Sequence, residues 1–326
     1  MTKDLHLGDF TSNAAKSSIP KYYGETLLKI AQENESVVAL TADLTASTEC
    51  ELFRDAYPKR FFTTGIAEAN MVGIASGMAR TGDIPFVHTF SVFLTRRCFD
   101  QVAMQVAYPK TNVKLCGFLP GLTTLLGVSH QAIDDNAMMR VLPNIVIVEP
   151  CGASQIEAAT IAAYNHNGPV YLRMHRPIHP LKDNEIKLSL EIGKGQILRK
   201  GQEVIIFASG LMVEEALKAA EILESTGVSA SVANIHTLKP IETDFIIEHS
   251  KDKSVVITAE NHSIIGGLGS AVAEILMEAG IKKKFRRVGV QDVFAEGAST
   301  DYLFEKYGLS ARKISLEVQE LLGFKK

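Results

Sequence analysis

Short, continuously apolar runs alternate along this chain with segments whose apolar residues recur every three or four positions. Residues 37–41 form such a run, the pattern of a strand buried on both faces. Upstream, Leu27, Leu28 and Ile30 lie on a helical stripe that opens near Ser18-Ile19-Pro20, with Pro20 suited to a first turn. The same reading predicts strands at 61–64, 85–90, 113–118, 145–148 and 170–173. It places helices at 49–56, 68–80, 96–107, 130–141 and 155–164. A polar connection containing Pro177, Pro180 and Asp183 follows. A second series then offers strands at 204–208, 230–235, 254–259 and 285–290, with helices at 213–225, 241–250, 270–279 and 310–322. Alternation of this kind predicts an α/β protein with two doubly wound, mainly parallel-sheet domains. We expect them over residues 1–186 and 195–326, joined by a linker at 187–194. The two series show no repeat of sequence.

Composition narrows the class. A length of 326 residues suits two domains, and 46% hydrophobic with 22% charged residues suits a globular chain with a sizeable core. A net charge of −3 without a dense Lys/Arg run argues against nucleic acid as the main partner. No apolar run reaches the roughly 18 residues of a membrane helix, and the polar first 18 residues lack a signal-peptide core. Cys50, Cys98, Cys116 and Cys151 show no CxxC spacing. They read as reduced thiols, and the chain as cytoplasmic.

The candidate chemistry centres on Glu68. Between Gly65 and Ala79 the only other polar side chains are Asn70 and Ser76. A carboxylate in apolar company at a helix start is suited to proton transfer. It is equally suited to meet the free N–H groups of a first turn. Phe90 and Phe93 follow a predicted strand. They read either as core residues or as a flat apolar face for a stacked ring. His130, in Gly127-Val128-Ser129-His130-Gln131, is an acid–base group at neutral pH or a structural residue at a helix start. Arg176 offers the planar fork that recognises oxyanions, or a solvated surface charge. Gly266-Gly267-Leu268-Gly269 lacks the GxGxxG order of a phosphate loop and reads as close backbone packing, with an interface role also open.

The stretch Arg60-Phe61-Phe62-Thr63-Thr64-Gly65-Ile66-Ala67-Glu68-Ala69-Asn70-Met71, with Ile84-Pro85-Phe86-Val87-His88-Thr89-Phe90-Ser91-Val92-Phe93, resembles the pyrimidine-binding domain of transketolases. The resemblance continues through Ser129-His130-Gln131 into the C-terminal third. It covers the back half of a full transketolase. It implies thiamine diphosphate and Mg²⁺ as cofactors and transfer of a two-carbon ketol unit from a ketose to an aldose. The family's catalytic glutamate falls on Glu68, which would share a proton with the pyrimidine N1′. Its aromatic shelf falls on Phe90 and Phe93. Its substrate-contacting histidine falls on His130, and its sugar-phosphate arginine on Arg176, where His175 replaces a serine.

Two departures change that picture. The family's Gly-Asp-Gly metal motif is absent, the nearest matches being Gly8-Asp9-Phe10 and Gly82-Asp83-Ile84. The diphosphate and Mg²⁺ ligands are then expected from a separate N-terminal subunit, in an α2β2 heterotetramer with this chain dimerising. The family's loop carboxylate before Gly-x-Thr-His-Gln has become Leu126, and the loop is one residue shorter. Loss of a group that grips hydroxyls points to a donor other than an ordinary linear ketose phosphate, such as a branched or modified one. Two other readings stay open. One is a subunit of another thiamine-diphosphate enzyme, such as deoxyxylulose-phosphate synthase or a 2-oxo acid dehydrogenase β subunit. The other is a non-catalytic assembly subunit.

Overall fold

The computed structural model describes residues 21–175 and 187–324. Among them, the apolar runs become strands of two sheets. The first sheet contains β1 (Val37–Thr41), β2 (Phe61–Thr63), β3 (Ile84–Phe90), β4 (Lys114–Phe118), β5 (Val146–Val148) and β6 (Val170–Met174). The second contains β7 (Gln196–Arg199), β8 (Val204–Ala208), β9 (Ala230–Asn234), β11 (Val255–Ser263) and β12 (Lys284–Val290). Between β9 and β11 the short β10 (Thr237–Lys239) leaves that sheet and joins the first. The orders are β10-β5-β6-β4-β3-β1-β2 and β12-β11-β8-β9-β7. All neighbours are parallel except β10 on β5 and β7 on β9. Every residue of β1, β4, β6, β8 and β9 is buried, as a central parallel strand requires.

Helices cover the faces. In Tyr22–Glu33 the buried residues Tyr23, Leu27, Ile30 and Ala31 recur at helical spacing. In Glu68–Arg80 the buried side is Met71, Val72 and Ala75. The last helix, Ala311–Leu322, begins at Ser310, whose Oγ accepts from Lys313 N, and ends at Gly323 with φ 91°. One hydrophobic cluster runs from Leu40, Met71 and Leu115 of the first part to Ile205, Phe207 and Val256 of the second. The two sheets therefore share a core as well as β10.

A buried polar network crosses the same junction. Arg173, on β6 and fully buried, donates through Nε to Asp135 Oδ2 (2.7 Å) and through Nη1 to Glu149 Oε1 (2.5 Å). Its Nη2 reaches Asn261 O (3.0 Å) in β11. Ser209 Oγ donates to Glu149 Oε2 (2.9 Å) from the other sheet. The Gly266–Gly269 stretch is closely packed: a Cβ on Gly266 would lie 2.6 Å from Ala137 Cβ. The Leu268 and Gly269 N–H groups donate to Glu260 (2.7 and 2.8 Å), so this chain fills its own anion nest.

Three expectations need correction. Residues 130–134 are not helical, and the helix is Asp135–Val141. Gly121 N bonds Ala132 O, Gln131 Nε2 bonds Glu296 O, and Asp134 is held by Arg96, which together draw the segment into a loop. The helix expected at 96–107 begins earlier and runs as two π-helical turns, Phe93–Arg97 and Val102–Ala107, around the short Phe99–Gln101 segment. β7, β10 and the helix Thr300–Tyr307 were not foreseen.

Candidate active site

The carboxyl ends of β2, β3 and β4 meet at one edge of the first sheet. After β2, Thr64 N continues the ladder to Thr41 O (3.0 Å), and Gly65, with φ 68°, turns the chain. Glu68 is then the first helical residue, only 4% exposed. β3 ends at Phe90, and the wide turn Phe93–Arg97 follows it. π-helical turns are frequent at functional sites because they re-aim side chains. Here the turn directs Arg97 Nη1 to Glu68 Oε1 (2.9 Å) while the guanidinium carbon lies 4.0 Å from the centre of the Phe93 ring.

The Phe90 and Phe93 rings are 5.9 Å apart and tilted by 34°. His130 meets Phe93 edge-on at 5.2 Å and Phe90 at 6.0 Å. Ser129 Oγ and His130 Nδ1 are 2.9 Å apart. Partial burial, and then the neighbouring Arg97 charge, hold the His130 imidazole below its ordinary value. Glu68 and Phe93 thus meet one guanidinium, and Phe90 and His130 pack with Phe93 beside it. Leu126 lies on the His130 loop and is 47% exposed, beside exposed Leu125 and Val128. Arg176 lies outside the described residues.

That loop is braced from the second half of the chain. Gly127 has φ 72°, and a Cβ there would approach Gly297 N to 3.2 Å. A Cβ on Gly297 would lie 2.4 Å from Leu125 O. Leu122 N donates to Asn261 Oδ1 (2.9 Å). Sequence reasoning missed Arg97 and this brace. The Arg96-Arg97 pair, three and four residues after Phe93, was a signal for the first, but a regular helix starting at 96 did not connect it to Phe93. Nothing local in the sequence brings Gly297 to Gly127.

A buried carboxylate, two phenylalanines and a histidine outside the carboxyl ends of parallel strands form a candidate site where open α/β sheets usually bind their ligands. The chain belongs to the transketolase family. Residues 15–180 match its pyrimidine-binding domain and residues 193–314 its C-terminal domain. It is 43% identical over 301 residues to the 6-deoxy-6-sulfo-D-fructose transketolase subunit SqwH of a Clostridium species, covering 92% of each chain. A solved structure titled "Split gene transketolase, inactive beta4 tetramer" superposes with a TM-score of 0.85 at 42% identity, over 94% of this chain and 98% of that one. The 1-deoxy-D-xylulose-5-phosphate synthase of Caldanaerobacter subterraneus is more distant. It is 34% identical over 96% of this chain, which spans 50% of its length.

Proposed function

We propose that this chain is the pyrimidine-binding subunit of a two-chain, thiamine-diphosphate-dependent transketolase. The carrying observation is that one flat guanidinium touches both the Glu68 carboxylate and the Phe93 ring. A planar aminopyrimidine needs such a pair, an aromatic face and a carboxyl group at its edge. Glu68 would hold a proton at N1′, Phe93 and Phe90 would form the shelf, and His130 would serve the hydroxyls of the donor. When bound, the cofactor supplies the nucleophilic carbon that carries the two-carbon unit. Burial and then the Arg97 charge hold the His130 imidazole below its ordinary value, which favours the neutral form that can accept a proton.

Among the described residues, no group of three His, Cys, Asp or Glu could hold a metal ion, and the sequence has no Gly-Asp-Gly. We assign the diphosphate and Mg²⁺ to an N-terminal partner subunit, in an α2β2 cytoplasmic assembly. No described helix is long and apolar enough to cross a membrane. The donor in this reading is a ketose with an anionic tail that is not gripped through a loop carboxylate. Exposed Leu126 and the relative named for a sulfonated ketose support that. Arg176 would meet the anionic tail.

The test is Glu68→Gln in the assembled enzyme, read by deuterium exchange at the cofactor C2 position. An amide cannot share the N1′ proton, and loss of such assistance typically slows a step by about 10²–10⁴-fold. Exchange at the wild-type rate would remove Glu68 from the mechanism.

A further inference from the structure

The Arg97 guanidinium carbon sits 4.0 Å from the centre of the Phe93 ring, and the same group donates to Glu68. Because it reaches Glu68, the Phe93 face that it covers is the one turned toward the carboxylate. Those are the two contacts proposed for the aminopyrimidine. A planar, nitrogen-bearing cation on an aromatic face, hydrogen-bonded to a carboxylate, is a chemical likeness of that ring. We propose that Arg97 is a built-in placeholder for the cofactor: it occupies the pyrimidine position in the free chain and must swing out before the pyrimidine can enter.

Several observations support a movable group here. The Arg97 side chain is 50% exposed, whereas Glu68 is 4% exposed, so the arginine has open solvent to move into and the carboxylate does not. Among its described contacts, Glu68 is the only acidic partner and Phe93 the only ring. Without Arg97, the buried Glu68 would lose the one side-chain donor that the described residues give it, which is costly for a charged carboxylate. The arginine removes that cost while the cofactor is absent. It also raises the threshold for binding, because the ion pair and the ring contact must both be broken. A half-exposed pair and a surface cation–ring contact are each worth a modest amount, so their removal should tighten pyrimidine binding roughly three- to tenfold.

This inference rests on the proposed function, and its test separates the two. The full chain is titrated with 4-amino-5-hydroxymethyl-2-methylpyrimidine, the ring half of thiamine, and binding is followed by calorimetry and ligand-observed NMR. Wild type, Arg97→Ala, Arg97→Lys, Phe93→Ala and Glu68→Ala are compared, with folding checked by circular dichroism. Arg97→Ala should bind the fragment roughly three- to tenfold more tightly than wild type. Arg97→Lys, whose compact ammonium cannot cover a ring and keep the same planar donation, should fall between them. Phe93→Ala and Glu68→Ala should weaken binding. If the fragment binds through Phe93 and Glu68 but Arg97→Ala and Arg97→Lys leave its affinity unchanged or lower, the placeholder is wrong and the functional reading stands. If Phe93→Ala and Glu68→Ala have no effect, or the fragment does not bind, the pyrimidine site itself is wrong and the placeholder falls with it.

Discussion

Replacing Arg173 with Met should destabilise the chain by about 3–5 kcal/mol, the usual loss when one partner of a buried ion pair is removed. Arg173 has no exposed surface and makes five hydrogen bonds, to Asp135 twice, Glu149, Ala132 O and Asn261 O. Met fills a similar path without donors. Asp135 would keep Tyr171 (2.7 Å), and Glu149 would keep Ser209 (2.9 Å) and His175 (3.0 Å), but both carboxylates would lose their common cation. Adding Asp135→Asn and Glu149→Gln to Arg173→Met should recover at least half of the loss, since neutral groups in that space cost less than unpaired charges. Urea unfolding at pH 7.5 measures each variant. The pH dependence supplies an independent arm. Burial alone would push the Glu149 carboxyl up, yet Arg173, with His175 and Ser209, holds it well below its ordinary value of 4.5. A carboxylate lowered on folding contributes stability above its unfolded value and loses it as pH falls through and below that value. The gap between wild type and Arg173→Met should therefore be widest at neutral pH and narrow as pH falls, because the variant's buried carboxyl is relieved by protonation while the wild type loses its ion pair below 4.5. A loss under about 1 kcal/mol, or a triple variant no more stable than the single one, would refute the reasoning.

Two further outcomes follow from the site. An NMR titration of His130 should give a midpoint below 6.5, and Arg97→Met should raise it, because burial and the Arg97 charge both disfavour the imidazolium; a midpoint at or above 6.5 in wild type contradicts this. The assembled enzyme should show a higher kcat/KM for branched or acid-bearing ketoses than for xylulose 5-phosphate. Leu126→Asp should not restore the latter, since a misplacement of about 1 Å can cost roughly 10²-fold. Ordinary efficiency with xylulose 5-phosphate in wild type, with no advantage for the other ketoses, would show that Leu126 does not set donor choice.

The strands were legible because central parallel strands are apolar throughout: Val37–Thr41 and Val204–Ala208 could be bounded from composition alone. Glu68, Phe90, Phe93 and His130 were legible as motif residues, and the structure gathers them. What escaped depends on distant partners. Thr237–Lys239 is too short to carry a strand pattern and is strand only because Val148 and Ile147 pair with it. The helix expected at His130 fails because Glu296 O and Arg96 hold its first residues elsewhere. Arg173 sits in a run that reads as an ordinary strand, and its partners, Asp135, Glu149 and Asn261, lie far away in sequence. Arg97 joins the site through a π-helical turn, whose irregular period a regular helical pattern does not show.

On the proposed function, this chain holds only the pyrimidine half of a cofactor site shared with its partner. Calorimetric titration of thiamine diphosphate tests it most directly, with and without Mg²⁺, into this chain alone and into its mixture with an N-terminal transketolase subunit carrying Gly-Asp-Gly. We expect weak, Mg²⁺-independent binding to the chain alone and tight, Mg²⁺-dependent binding only to the mixture. Tight Mg²⁺-dependent binding to this chain by itself would show that the cofactor site is not shared.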